Sequence, residues 1–335
     1  MLTIDSIMRI VDITQYGGTE VLQIAEAPVP EPGCGEVLIR VSAAGLNRAD
    51  ILQRKGHYPP PPGASSVLGM EVSGHVAALG ADVDDWKPGD AVCALLAGGG
   101  YAEYCVAPAG QCLAIPENIP VPDAAALPEA VFTVWTNLFD PTCLNPGETL
   151  LVQGGSSGVG SMAIQVAALF GARVAATAGS AAKCDFCRQI GCERVFNYKE
   201  EDWAEGVRAW SGGRGVDVIL DMVGGDYFPK HLRALASRGR LVHIAYSRGR
   251  EVTADLALIM LKRLVITGST LRSRPAGQKA ALRDAIRQRL WPHFGSGRVR
   301  PIIDRVFPLE QVADAHRRME SNQHLGKILL RLDPA

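Results

Sequence analysis

The 335-residue sequence predicts an α/β protein built from a doubly wound parallel sheet and a second, β-rich domain. Three observations predict it. Residues 148–183 read as strand, glycine turn, helix, strand, which is one βαβ unit. From 131 to 274, short apolar runs alternate with helical segments, the pattern of a parallel sheet covered on both faces. Residues 1–130 instead hold short strands separated by frequent Gly and Pro, which suggests a barrel-like domain completed by residues 275–335.

The elements follow in order. The turn Glu31-Pro32-Gly33 announces a strand at 37–43, and others follow at 70–79, at 91–94 after Pro88-Gly89-Asp90, and at 101–107. Residues 59–62 are four prolines between folded segments, hence a rigid loop. Thr149-Leu150-Leu151-Val152 is short and apolar enough for a buried parallel strand. After its glycines, Val159, Met162, Ala163, Val166, Ala167 and Phe170 recur at helical spacing, and Gly171 stops that helix. Strands are expected at 173–177, 194–197, 216–222, 241–245 and 264–270. The tail reads as a helix after 275, a strand at 302–307, a helix at 309–319 and a last strand at 327–332 that returns to the first domain.

The glycine turn carries the first functional reading. Gly154, Gly155, Gly158 and Gly160 depart from the G-x-G-x-x-G order, but the strand before and the helix after supply the context in which backbone N–H groups and a helix N-terminus receive a pyrophosphate. An NAD site usually ends its second strand with Asp or Glu, which accepts from the ribose hydroxyls. Here Ala178-Gly179-Ser180 and then Lys183 stand in that place, with no carboxylate to repel a 2′-phosphate, so NADP(H) is preferred over NAD(H).

Composition excludes several classes. A formal net charge of -1 without a dense Lys/Arg run gives no footprint for nucleic acid or an anionic membrane surface. No apolar run reaches the length of a membrane span, and the first residues lack the basic flank and apolar core of a signal peptide, so a cytoplasmic location is expected. Met8 offers a second start, which would make residues 1–7 an unstructured extension. The eight cysteines are scattered, as in a reducing compartment, and Cys184-x-x-Cys187 has no second ligand pair. Buried apolar filler is preferred there to redox or metal work.

The run Ala44-Gly45-Leu46-Asn47-Arg48-Ala49-Asp50, the loop Gly56-His57-Tyr58 with its prolines, Leu68-Gly69-Met70-Glu71, Gly98-Gly99-Gly100, Ser157-Gly158-Val159-Gly160, Asp221-Met222-Val223-Gly224-Gly225 and Gly326-Lys327-Ile328 together resemble the medium-chain dehydrogenase/reductases. The likeness runs from about residue 8 to the end and is strongest to their zinc-free, zeta-crystallin-like quinone oxidoreductase branch. Residues 47–63 and Leu271-Arg272-Ser273-Arg274 look most like the stress-induced quinone reductases of animals. The resemblance implies a Rossmann domain plus a GroES-like catalytic domain, NADPH, a cleft between the domains, and a homodimer. Zinc-dependent members carry Cys where Asn47 stands and His where Met70 stands, so no metal site is expected.

Carried over by position, the resemblance implies that Asn47, Thr133, Ser157, Gly158, Val159 and Gly160 line the nicotinamide ribose and pyrophosphate. Gly179, Ser180, Lys183 and Tyr198 would surround the 2′-phosphate, and Val223, Ser269, Thr270, Leu271 and Lys327 would line the cofactor further along. Duller roles exist: Asn47 fixing a turn, Thr133 capping a helix, Tyr198 as a strand-end aromatic. Hydride transfer asks the protein mainly for placement. A quinone needs a flat apolar slot and one donor, for which Tyr58 and Asn47 are the catalytic candidates, with Tyr246 a further polar group grouped with the cofactor residues. Gly98 to Gly100 would admit a ligand close to backbone or simply form a hairpin loop. Three readings stand: a quinone reductase, a reductase of activated alkenes such as enones or enoyl thioesters, and an NADPH-binding protein with little turnover. The apolar run 264–268 is expected at a sheet edge, where pairing across a twofold would make the homodimer.

Overall fold

The computed structural model describes residues 6–140 and 143–332. The chain divides into two compact units, Met1–Phe132 with Arg272–Ala335, and Thr133–Leu271.

The first unit opens with an antiparallel hairpin, β1 (Ile7–Ile13) and β2 (Leu22–Pro28). Ile7 is already paired and the Ser6 carbonyl accepts from the Val29 amide at 3.1 Å, so ordered structure begins ahead of Met8 rather than after it. Residues 1–5 of the expected extension lie outside the described residues. Next come β3 (Glu36–Gly45), helix α1 (Arg48–Arg54), β4 (Glu71–Leu79), β5 (Ala91–Leu95), β6 (Tyr104–Pro108) and β7 (Cys112–Ala114). The strand expected at 101–107 starts only at Tyr104, because Tyr101 is turned inward and its hydroxyl donates to Asp50. Helix α2 (Pro128–Leu138) carries the chain out of this unit.

The second unit runs β8 (Thr149–Val152), α3 (Gly158–Leu169), β9 (Arg173–Ala178), α4 (Ala181–Gln189), β10 (Arg194–Asn197), α5 (Trp203–Trp210), β11 (Val216–Asp221), α6 (Phe228–Ala234), β12 (Leu235–His243), α7 (Ala257–Lys262) and β13 (Val265–Gly268). All six strands are parallel, in the order β10-β9-β8-β11-β12-β13. In chain order within the sheet this is 3-2-1-4-5-6, a doubly wound sheet whose direction of progression reverses between β8 and β11. The central strands bury Leu150, Leu151, Val152, Val218, Ile219 and Leu220 completely, which is why they read as continuous apolar runs. Strand β12 starts at Leu235, well before the expected 241, and passes through Arg238 in a left-handed conformation.

The tail supplies α8 (Ala276–Arg289), α9 (Trp291–Gly295), β14 (Ile303–Pro308), α10 (Val312–Glu320) and β15 (Lys327–Arg331). Strand β15 lies antiparallel to β3 and parallel to β14, so the chain closes on the sheet it began. The seven-stranded sheet runs β14-β15-β3-β4-β5-β7, with β6 also on β3.

Candidate functional site

The turn after β8 is built for close approach. Gly154 takes a left-handed φ of 71°, open to glycine without strain. A Cβ at Gly160 would overlap the Gly154 carbonyl oxygen, so the first helical turn lies directly on the loop. Ser157 caps α3: its hydroxyl donates to the Gly154 carbonyl at 2.8 Å and accepts from the Gly160 amide at 3.0 Å. Gly158 and Val159 occupy the first two helical positions, whose amides have no intrahelical acceptor. These amides and the helix dipole sit where the strand order reverses, which is the place and the chemistry a diphosphate requires. The residues therefore fit a dinucleotide.

The end of β9 brings Gly179, Ser180, Lys183 and Tyr198 together. Ser180 caps α4, its hydroxyl oxygen accepting from the Lys183 amide at 3.4 Å. The Tyr198 amide donates to the Ala178 carbonyl at 3.1 Å, and its ring lies over Gly179 so closely that a Cβ there would strike the phenolic oxygen. Tyr198 is thus a wall of this corner as well as a strand-end aromatic. Residues 178–180 include no carboxylate.

Val223, Tyr246 and Ser269 lie just beyond the carboxyl ends of β11, β12 and β13. The Val223 amide donates to Asp221 Oδ1 at 2.8 Å, and Tyr246 packs on Gly224, with its ring 5.3 Å from that of His243. The Ser269 hydroxyl and Asn137 Oδ1 are 2.8 Å apart, and Asn137 donates to the Thr133 carbonyl at 2.8 Å. Thr133 stands inside α2 and so caps nothing. Thr270 follows Ser269, and Leu271, buried, ends the unit.

In the first unit the candidates are held by charges. Lys327 donates to the Leu46 carbonyl at 2.9 Å, to Asn47 Oδ1 at 2.7 Å and to Glu71 Oε1 at 2.5 Å. These acceptors take all three ammonium donors, so Lys327 serves Asn47 rather than lining a ligand with a donor of its own. Asn47 Nδ2 donates to Glu71 Oε1 at 2.9 Å, and Glu71 Oε2 accepts from the Glu129 amide at 2.8 Å. An ammonium can only donate and a carboxylate only accept, which fixes the Asn47 amide in one orientation. Asp50 accepts from the Asn47 amide at 2.7 Å, the Gly69 amide at 3.1 Å and the Tyr101 hydroxyl at 3.1 Å. Burial nevertheless lifts its pKa to about 6.

Tyr58 is half-buried, and its packing partner is Arg272 rather than the prolines alone. The guanidinium lies 5.4 Å from the ring centroid, and Nη1 donates to the Tyr58 carbonyl at 3.4 Å. Arg272 is itself buried and also donates to the Ala97 carbonyl at 2.6 Å and Gln53 Oε1 at 2.7 Å, all three neutral acceptors. Lys279 donates to the Arg272 carbonyl at 2.9 Å. Burial, and then the charge of Glu129, raise the Tyr58 phenol above its ordinary pKa. Burial, and then Glu71, push Glu129 to about 7. Sequence reasoning assigned no role to Glu71, Glu129 or Lys279. Nothing local marks them, because the contacts that define them join residues far apart in the chain.

Gly98 and Gly99 serve backbone packing: a Cβ on Gly98 would lie 2.5 Å from the Ser65 carbonyl oxygen, and the Gly99 amide donates to Val67. Cys184 and Cys187 are buried on α4, with burial pushing the Cys187 thiol up to about 12, and Cys187 Sγ packs against Gly155. Among the described residues, no group of three or more His, Cys, Asp or Glu could hold a metal ion.

Comparison with known proteins agrees with this architecture. Residues 33–117 match the alcohol dehydrogenase GroES-like domain family, and residues 158–287 the family described as zinc-binding dehydrogenase. The quinone oxidoreductase of Homo sapiens is 31% identical over 335 residues, covering 99% of this chain and 100% of that protein. A crystal structure of an NAD-dependent alcohol dehydrogenase has a TM-score of 0.86 at 35% identity, covering 97% of this chain and 100% of the other. A mycobacterial protein complexed with NADPH has a TM-score of 0.86 at 30% identity over the same shares, 97% and 100%. A relative matched from end to end, with both domain families in chain order, shows that the chain belongs to the quinone oxidoreductase branch of the medium-chain dehydrogenase/reductase superfamily.

Proposed function

We propose that the protein is a cytoplasmic, homodimeric NADPH:quinone oxidoreductase that works without zinc. The observation that carries the cofactor preference is the corner at the end of β9. The Tyr198 ring lies on Gly179, the Ser180 hydroxyl accepts from the Lys183 amide at the start of α4, and residues 178–180 hold no carboxylate, which favours a 2′-phosphate over a bare ribose diol. The amides opening α3 hold the diphosphate. When bound, the nicotinamide supplies the hydride.

The chain supplies the surroundings of the acceptor. The Tyr58 ring is an apolar wall, and its hydroxyl donates to the quinone oxygen as charge develops there. Arg272 fixes that tyrosine by ring and carbonyl, and its buried cation favours the same developing charge. Asn47, locked by Lys327 and Glu71, presents a fixed amide. Zinc independence is supported by an amide at Asn47 and a thioether at Met70, neither of which is a zinc ligand of the usual kind. Eight free cysteines accord with a reducing compartment, and no helix among the described residues is long and apolar enough to cross a membrane.

The dimer reading rests on β13, which ends the parallel sheet. Val265 on it is 52% exposed, and Met260 and Leu261 on the adjoining α7 are 73% and 69% exposed, an apolar surface beside an open edge. Pairing two such edges across a twofold covers both. Light scattering at micromolar concentration should give a dimer, and Val265→Lys a monomer.

The activity is tested by steady-state oxidation of NADPH and NADH with a quinone and with an enone, each with and without chelator. Quinone turnover that prefers NADPH and survives the chelator is expected. Turnover of the enone alone would transfer the reading to alkene reduction. Tight NADPH binding with neither acceptor reduced would leave a nucleotide-binding protein.

A further inference from the structure

The second sheet consists of two halves that run outward from its reversal, β8-β9-β10 on one side and β11-β12-β13 on the other. A doubly wound sheet of this order gives each mononucleotide of a dinucleotide one such half. The halves correspond strand by strand, so the end of β12 holds in its half the place that the end of β9 holds in the other. Strand β9 ends at Ala178, where folds of this kind recognise the adenosine ribose. Strand β12 ends at His243.

His243 is only 9% exposed, and its Nδ1 lies 2.9 Å from Oδ2 of Asp221, the last residue of the neighbouring β11. Burial opposes the charge on Asp221, but its hydrogen bonds, that from His243 foremost, outweigh this and hold the carboxyl below its ordinary pKa. An ionised carboxylate only accepts, so Nδ1 carries the proton, and in the neutral ring Nε2 is left as an acceptor. The rings of Phe228 and Tyr246 pack against the imidazole at 5.9 and 5.3 Å between centroids. Nε2 has no hydrogen-bond partner among the described residues, yet it is not sealed in as His231 Nδ1 is, so it is the nitrogen that faces out.

The turn after β11 does not require this imidazole. Asp221 accepts from the Val223 amide at 2.8 Å and the Gly224 amide at 3.0 Å, and these two bonds hold the turn by themselves. An apolar side chain would pack against Phe228 and Tyr246 with no nitrogen left to satisfy. What the histidine adds is an oriented acceptor at the end of the strand.

We propose that His243 is a binding residue for the nicotinamide half of the dinucleotide: Asp221 fixes its ring, and Nε2 accepts a hydrogen bond from a hydroxyl of the nicotinamide ribose. The inference rests on the nucleotide-binding reading of this unit and goes beyond it by assigning the ribose contact to one side chain.

The test uses two probes, NADPH and adenosine 2′,5′-bisphosphate, which lacks the nicotinamide ribose. Each is titrated calorimetrically into the wild-type protein, His243→Asn and His243→Phe, with thermal melting of all three. Asparagine can donate to Asp221 as Nδ1 does but has no acceptor at the place of Nε2. Phenylalanine keeps a ring and loses both nitrogens. Both variants should weaken NADPH by about five- to tenfold, the worth of one hydrogen bond, and leave the bisphosphate within about twofold. Unchanged NADPH affinity in His243→Asn would overturn the proposal, as would equal losses for the two probes, which mark a general disturbance of the sheet. Should neither variant fold, the wild-type protein decides: the nitrogen-15 resonance of His243 Nε2 should move with NADPH and not with the bisphosphate, and a resonance indifferent to NADPH overturns the contact. A wild-type protein that binds neither NADPH nor NADH overturns the nucleotide reading itself, whereas normal wild-type binding with unaffected variants overturns only the role of His243.

Discussion

The two units hold their candidate residues by opposite means. In the second unit the cradle is backbone: a left-handed glycine, a capped helix start and a turn tied to Asp221, assembled mostly from short stretches of chain. In the first unit it is buried charge, with Lys327, Glu71 and Asn47 in mutual contact and Arg272 over Tyr58. A backbone cradle tolerates side-chain exchange but not added volume. A buried ion pair contributes little beyond a well-packed apolar pair while intact, yet removing one partner strands the other charge.

The sharpest way to break this contrast is Glu71→Gln. It leaves the Lys327 ammonium buried without its carboxylate, and urea unfolding should show a loss of about 3–5 kcal/mol. A loss below about 1 kcal/mol would mean that the first unit does not depend on the pair.

Lys183→Ala tests the opposite side. It should leave stability nearly unchanged and weaken NADPH by roughly 1.5–3 kcal/mol more than NADH, the range for a hydrogen bond to a charged group. Equal effects on both nucleotides would remove Lys183 from the phosphate corner.

Acid separates the units as well. His231 and His316 have folded pKa values held down to about 4 and about 3 by burial, below the ordinary value near 6.5. The unfolded chain therefore takes up their protons first. Their contribution is intact above about pH 6.5 and is lost as pH falls toward the folded values, at up to about 1.4 kcal/mol per pH unit each. In the first unit, Asp50 at about 6 and Glu129 at about 7 act with the opposite sign, since there the folded state binds protons first. They offset His316, and no such raised carboxyl offsets His231. Between pH 7 and 5, hydrogen exchange corrected for its intrinsic rate should show the second unit losing about 2 kcal/mol of protection while the first loses none. His231→Gln should abolish the second unit's loss, and equal losses in the two units would contradict it.

The smallest effect is expected at Tyr58. Tyr58→Phe keeps the ring under Arg272 and removes one donor to an already electrophilic acceptor. kcat and kcat/KM for a quinone should fall together by about tenfold, or about 1.4 kcal/mol, with NADPH affinity and melting temperature unmoved. Unchanged kinetics would leave the ring as a packing surface only.

The same contrast explains what the sequence made legible. The doubly wound sheet and the glycine turn after β8 could be read because strand, glycine turn and helix follow one another within a few residues. Most strands fall within a few positions of their expected places. The start of β12 is the main exception: Ser237-Arg238-Gly239-Arg240 interrupts the apolar pattern while the backbone continues through a left-handed arginine. The residues around Asn47 could be named only through resemblance. The roles of Glu71, Glu129 and Lys279 were invisible, because a buried carboxylate or lysine looks like any surface residue until its distant partner is known. Lys327 illustrates the limit: it was expected to line the cofactor, but its three donors are committed to Leu46, Asn47 and Glu71.

Strand β3 has a divided edge. Residues Glu36–Arg40 pair with β6, while Ala43–Gly45 wait for β15. On the ribosome, that second half stays bare until residues 329–331 emerge, after the whole nucleotide unit has been made. Because β15 also brings Lys327, Glu71 lacks its cation for the same interval. The nucleotide unit can complete its sheet from one contiguous segment, whereas the first unit remains an open template for other strands until residues 329–331 are released. The vulnerable period thus lasts until residues 327–331 have been made, and a chain truncated just before Lys327 should be an aggregation-prone species, although its nucleotide-binding unit is already complete.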